Sequence, residues 1–188
     1  MKIILASKSP RRKELLATRF SEFDIITRDV DESLDCGIRC DEGVRILAIR
    51  KGAPIAREYP DALVISSDTL VEVDGTPLGK PTDEADAYRM LRMLSGRGHN
   101  VHTGVAVHYG GKVYSGVDTT CVHFRKMSDG DIYGYIATGE PMDKAGSYGI
   151  QGIGGMFVSS YDGDFDTVMG LSMRLVGELC DEALLRDD

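Results

Sequence analysis

No stretch of eighteen apolar residues occurs in this chain, so no segment is long enough to span a bilayer as a helix. Motifs of several large enzyme classes are also missing. There is no GxxxxGK[ST], no GxGxxG after the first apolar run and no GxSxG, which leaves a P-loop kinase, a dinucleotide oxidoreductase and an α/β-hydrolase unsupported. Cysteine is sparse: Cys36, Cys40, Cys121 and Cys180 form no CxxC pair and have no second pair beside them. Neither a zinc site nor a disulfide framework is expected, and free thiols point to a reducing compartment. Basic residues are in the minority, 22 Lys+Arg against 30 Asp+Glu, for a formal net charge of -8. A general nucleic-acid binder needs a basic face, so no nucleic-acid partner is expected. Apart from Lys2, only Met1 to Ala6 is apolar before Arg11, Arg12 and Lys13, which is not a secretory signal, and a cytoplasmic protein is expected. The acidic stretch Asp162-Gly163-Asp164-Phe165-Asp166 lacks the spacing and terminal glutamate of an EF-hand.

What is present describes an ordinary folded protein of 188 residues, 42% hydrophobic and 28% charged. Lys2–Ala6 reads as a buried strand, followed by a helix with Ser9 as N-cap, Pro10 at its first position and an end near Thr18. Phe23–Ile26 reads as a short strand and Asp29–Asp35 as an acidic loop holding Glu32. A helical pattern covers Glu42–Glu58, with Lys51 inside it and Pro54 expected to kink or break it. Ala62–Asp68 is a buried-type strand continued by Leu70–Val73, and Asp74-Gly75 is a hairpin turn. Thr82 is the expected N-cap of a helix over Asp83–Leu94. Val101–Tyr109 and Lys112–Phe124 read as an antiparallel pair, Ser128–Thr138 as a helix and Gly139–Gly155 as a glycine-rich tract. A strand at Met156–Val158 and a closing helix over Gly170–Leu185 complete the chain. The order implies an α/β protein with a mixed sheet in two lobes, dividing near residue 70 or 95, with a ligand cleft between them.

Four places could carry chemistry. Arg11 and Arg12 occupy the first turn of a helix, the end at which the dipole disfavours cations. A bound phosphate would resolve the conflict, because free N–H groups and two guanidinium forks would face the same oxygens; otherwise both arginines point into water. Asp68 follows a buried strand, where a carboxylate either binds a divalent cation or takes a proton from water, or else caps its own backbone. Lys51 and Lys80 suit a phosphate chain, Lys80 in the constrained Gly79-Lys80-Pro81 loop, although either is also readable as a solvated lysine. Glu140 to Gly152 sets two carboxylates, a lysine, a tyrosine and Gln151 among glycines that allow backbone to approach a ligand closely. Gln151 offers an acceptor and a donor side by side, which matches a base edge. His99, His102, His108 and His123 read as ordinary surface or hydrogen-bonded histidines.

Taken together these segments resemble one family, the Maf-like nucleoside triphosphate pyrophosphatases. The resemblance rests on Ser7-x-Ser9-Pro10-Arg11-Arg12-x-Glu14-Leu15-Leu16, Asp31-Glu32, Leu47-Ala48-x-x-Lys51, Ser67-Asp68-Thr69-x-Val71 and Gly79-Lys80-Pro81. It continues through Ser95-Gly96-x-x-His99-x-Val101-x-Thr103-Gly104, Glu140-Pro141-x-Asp143-Lys144-Ala145-Gly146-x-Tyr148-x-Ile150-Gln151-Gly152 and Val168-x-Gly170-Leu171. The resemblance implies an elongated mixed-sheet α/β fold of the Maf/ITPase kind, a single domain with two lobes around a central nucleotide cleft. It implies hydrolysis of a nucleoside triphosphate to the monophosphate and pyrophosphate, a divalent cation (magnesium or manganese), a cytoplasmic homodimer and a link to cell division. On this pattern Asp68 is the catalytic base and Glu32 and Asp68 hold the metal. Ser7, Ser9, Arg11, Arg12, Lys51, Thr69, Lys80 and Gln151 bind substrate.

Arg12, Thr69 and Gln151 together resemble the dTTP/UTP subtype, and the Gln151 amide is complementary to the O4 and N3 edge of uracil or thymine. The alternatives are a 7-methyl-GTP or modified-nucleotide pyrophosphatase, or a nucleotide-binding regulator without turnover. The chain departs from the family pattern at Gly170-Leu171-Ser172, where proline usually follows the leucine, at Asp166, and at Gly52, where alanine is frequent.

Overall fold

In a computed structural model, which describes residues 1–185, the first apolar run forms β1 (Ile3–Leu5) and Pro10 opens α1 (Pro10–Ala17). There follow β2 (Asp24–Ile25), α2 (Cys40–Glu58), β3 (Leu63–Val73), β4 (Thr76–Leu78), α3 (Glu84–Leu94), β5 (Gly98–Tyr109) and β6 (Lys112–Phe124). The remaining elements are α4 (Asp129–Ile136), β7 (Val158–Asp162), α5 (Phe165–Met169) and α6 (Met173–Leu185). Among the described residues the strands make one seven-stranded sheet in the order β2-β1-β3-β5-β6-β7, with β4 paired to β3. β1 runs parallel to β2 and β3, while β3–β4 and β6–β7 are antiparallel, so the fold is α/β with a mixed sheet. Among the described residues no helix is long and apolar enough to cross a membrane.

The chain divides into two compact units. The first comprises Met1–Thr69, Thr103–Asp118 and the described residues from Gly170 onward; the second comprises Leu70–His102 and Thr119–Met169. In the first, Ile4, Ala6, Ala62 and Val64 pack with Ile55 of α2. The helix lies so close to β5 that a Cβ on Gly104 would stand 2.4 Å from the Val44 carbonyl oxygen, so only glycine fits there. The second unit buries Val71, Leu91, Leu94, Phe124, Tyr135 and Phe157 in one cluster. Its aromatic rings meet edge to face, Phe124 with Tyr148 at 4.7 Å and Tyr135 with Phe157 at 5.2 Å between centroids.

Several elements depart from expectation. Pro54 sits inside α2 without breaking it. The missing N–H costs about 3 kcal/mol, and burial of Val44, Leu47, Ala48 and Ile55 on the same helix offsets that loss. β3 is unbroken from Leu63 to Val73, so Asp68 lies within a strand rather than after one. Residues 63–67 are fully buried and Asp68 to Leu70 are half-buried, so the aspartate stands where the strand's cover ends. The N-cap of α3 is Asp83, not Thr82: its carboxylate accepts from Asp86 N–H, and Thr82 N–H donates back to the Asp86 carboxylate. The glycine-rich tract folds into three 3-10 turns, Glu140–Asp143, Ala145–Ser147 and Ile153–Phe157. The last of these absorbs Met156 and Phe157, and β7 starts at Val158. The closing helix, α6, starts at Met173 rather than at Gly170, which takes a φ of +112°, and a separate short helix, α5, precedes that glycine.

Candidate active site

In the first unit, two carboxylates converge on one ammonium. Lys51, on α2, places Nζ 2.5 Å from Asp68 Oδ1 and 3.1 Å from Glu32 Oε2. The lysine and aspartate side chains are 19% and 13% exposed, enough to be reached by a ligand and too little to be solvated freely. Glu32 comes from an exposed loop, and Arg50, one residue before Lys51, fixes that loop by donating to the carbonyls of Asp31 and Ser33 on either side of it. Ser33 N–H donating to the Asp31 carboxylate tightens the same turn. Arg50 had no role on sequence grounds; its position beside Lys51 was the available signal.

The two arginines of α1 behave differently. Arg12 turns inward: Nε donates to Gly170 O at 2.7 Å, one terminal nitrogen to Ser67 O at 2.8 Å and Ser7 Oγ at 3.3 Å, and the other to Thr69 Oγ1 at 3.1 Å. Burial lowers its pKa from the ordinary arginine range, opposed by the charge of Asp68 and reinforced by the like charge of Arg11. The expectation of two open guanidinium forks therefore holds for only one of them, because backbone carbonyls of β3 and of the α5–α6 connection already occupy Arg12. Among the described residues Arg11 makes no hydrogen bond or ion pair. Ser9 stands at the N-cap position without a side-chain capping bond; instead its N–H donates to Ser7 Oγ at 3.2 Å. Gly170 carries no side chain, and its role lies in its backbone. Its carbonyl accepts from Arg12 and, at 2.9 Å, from Ser67 Oγ, tying the start of the C-terminal segment to the strand that carries Asp68.

Thr69 also shares a 2.9 Å hydrogen bond with Thr103. Lys80 and Gln151 belong to the second unit, both exposed and both on loops. Beneath Gln151 the backbone is held by Glu140, whose carboxylate accepts from Tyr135 Oη at 2.8 Å, Ile153 N at 2.9 Å and Gly154 N at 3.1 Å. Burial works to raise the Glu140 pKa, but the two N–H groups and the tyrosine hydroxyl outweigh it and hold the carboxyl below its usual range.

Residues 2–183 match the family model described as Maf-like protein. The chain belongs to the Maf-like family. It is 48% identical over 90% of both chains to a dTTP/UTP pyrophosphatase of Bacillus velezensis. It is 46% identical over 98% of both chains to a dTTP/UTP pyrophosphatase of Shewanella denitrificans, and 43% identical over 94% of both to one from Thermococcus gammatolerans. Among solved structures it resembles the Staphylococcus aureus Ham1 protein, with a TM-score of 0.52 at 18% identity over 98% of this chain and 95% of that one, a likeness of fold.

Two departures from the Maf-like pattern have local causes. Ser172, in place of the usual proline, caps α6: its hydroxyl accepts from Leu175 N–H and donates to Asp118. Gly52, in place of alanine, makes room for a histidine. A Cβ there would lie 2.5 Å from His108 Cδ2 and 2.7 Å from Ser66 Oγ. Asp166 lies on α5, where burial raises its pKa, assisted by Asp164.

Proposed function

We propose that this Maf-like protein hydrolyses dTTP and UTP between the α and β phosphates, yielding the monophosphate and pyrophosphate. The observation that carries the reading is the convergence of Asp68 and Glu32 on the Lys51 ammonium. A site that draws two oxygen ligands to one cationic point fits a hard divalent cation such as magnesium or manganese. Among the described residues no group of three His, Cys, Asp or Glu side chains could hold a metal, so substrate oxygens and water would complete the shell. When bound, the cation would neutralise charge on the phosphates.

The chain's own groups do the rest. Asp68 accepts a proton from the attacking water. Lys51, released from its carboxylate partners, and Lys80 stabilise charge on the triphosphate and on the leaving pyrophosphate. Arg11 supplies a free guanidinium, and the uncapped N–H groups of the α1 first turn, with Ser7 and Ser9, hold a phosphate. Arg12 contributes its charge from behind while holding Ser67 and Thr69 in place. Thr69 shapes the base pocket, and Gln151 donates to O4 and accepts from N3–H of uracil or thymine. The full reading is a single domain acting as a cytoplasmic homodimer, supported by the resemblance of its motifs.

The test is pyrophosphate release with magnesium or manganese from dTTP, UTP, CTP, dATP, GTP and 7-methyl-GTP. Preference for dTTP and UTP is expected. Preference for 7-methyl-GTP would overturn the subtype, and saturable binding without release from any of them would overturn the enzymatic reading.

A further inference from the structure

We infer that Glu140 is a positioning residue for base selection: its carboxylate locks the turn that presents Gln151, and so sets how selectively the amide reads a pyrimidine edge. The inference rests on the proposed function of Gln151 and adds a residue to it.

The geometry lies wholly within the second unit. Gln151 sits within the Gly149–Gly152 turn, closed by Gly152 N–H donating to Gly149 O at 3.3 Å, directly before the 3-10 turn Ile153–Phe157. Glu140 takes hydrogen bonds from the first two N–H groups of that 3-10 turn and a third from Tyr135 Oη. Tyr135 Oη in turn accepts from Gly149 N–H at 3.2 Å. One carboxylate and one hydroxyl thus hold the backbone on both sides of Gln151. Burial and the neighbouring carboxylate raise the Tyr135 pKa, which keeps the hydroxyl protonated and able to donate. The fit is tight: a Cβ on Gly152 would lie 2.4 Å from Glu140 Oε1, so the residue after Gln151 must be glycine for the carboxylate to reach. Lys144 anchors the other end by donating to Glu140 O at 2.8 Å.

An exposed glutamine on an unanchored glycine-rich loop would pay an ordering cost on each binding event. With the loop already fixed, only side-chain rotation is lost, and a misplaced base edge is not accommodated by loop movement. Charge-assisted bonds to a carboxylate suit this task because they are roughly twice as strong as neutral ones.

The experiment compares wild type, Glu140→Gln and Tyr135→Phe in steady-state pyrophosphate release from dTTP and GTP, with native-state amide exchange at Ile153 and Gly154. Glu140→Gln is expected to speed exchange at both amides and raise KM for dTTP about five- to tenfold. It should leave kcat within about twofold and lower the dTTP-to-GTP ratio of kcat/KM. A merely structural role would reduce the folded fraction, and so the apparent kcat, while leaving KM and the ratio unmoved. Tyr135→Phe keeps the carboxylate and both backbone bonds to it, and should shift KM in the same direction by about twofold. Accelerated exchange in either variant with unchanged KM and unchanged ratio would overturn the inference. If wild type itself shows no preference for dTTP and UTP, the functional reading fails first, and that failure is visible without any variant.

Discussion

In the first unit, Lys51, Asp68, Glu32 and Arg12 are engaged with partners before any ligand arrives, whereas in the second, Lys80 and Gln151 have exposed side chains and the fixed part is the backbone beneath Gln151. The contrast follows from what each group costs to hold. Half-buried charges without partners are expensive, so opposite charges and carbonyls must already face them. An exposed amide is solvated at little cost and keeps its hydrogen-bonding capacity for a ligand, provided its loop is not floppy. Arg11 and Arg12, both half-buried, differ in their partners: one makes no hydrogen bond or ion pair among the described residues and the other is built into the frame.

Asp68→Asn should break the first unit's chemistry most severely. Turnover is expected to fall by about 10²–10⁴ while nucleotide binding, followed by calorimetry, persists. Normal turnover would remove Asp68 from the role of base. Next in size is the contrast between the arginines. Arg12→Ala removes a donor from each of the Ser67 and Gly170 carbonyls, of which Gly170 O keeps its bond from Ser67 Oγ, and is expected to cost about 1–3 kcal/mol of stability in urea denaturation. Arg11→Ala should stay within about 0.5 kcal/mol and instead raise KM. Equal stability losses would erase the distinction between frame and ligand contact.

Gly52→Ala should destabilise by about 1–3 kcal/mol, because the new methyl meets the His108 ring and Ser66 beneath Lys51. Adding His108→Ala should recover part of that loss. A double-mutant cycle with no coupling would show that the two positions are unrelated.

The gentlest probe is pH. Burial pushes His99 down to about 4, with a smaller contribution from the charge of His123. Its folded pKa lies below the ordinary 6.5, so the unfolded chain binds more protons in that interval. The contribution to stability is full above pH 6.5 and is lost as pH falls toward 4. Burial lowers His108 in the first unit as well, so native-state amide exchange, which reports the units separately, is the suitable readout. Slower exchange of second-unit core amides at pH 5 than at pH 7, corrected for intrinsic rates, would contradict the sign.

Reading the chain alone located the strand bearing Asp68, the helix bearing Lys51 and the turn at Asp74-Gly75, because buried runs, helical spacing and left-handed turn residues are local signals. It misjudged elements whose outcome depends on partners. Packing of α2 keeps the helix unbroken through Pro54, and the backbone turn at Gly170 delays the closing helix to Met173. The inward turn of Arg12 escaped it as well, since its acceptors are Ser67 and Gly170, far away in sequence.

The order of elements, the residue types at each motif and their likeness to the Maf-like family were determined by the sequence itself, since periodicity, caps and motif spacing are properties of neighbours along the chain. Only the tertiary structure decided that Lys51 is shared by Asp68 and Glu32, that Arg12 is frame and Arg11 is free, and that Glu140 holds the turn of Gln151. Those outcomes depend on which distant donors and acceptors burial brings together, and a buried polar group takes whichever partner the fold puts within reach.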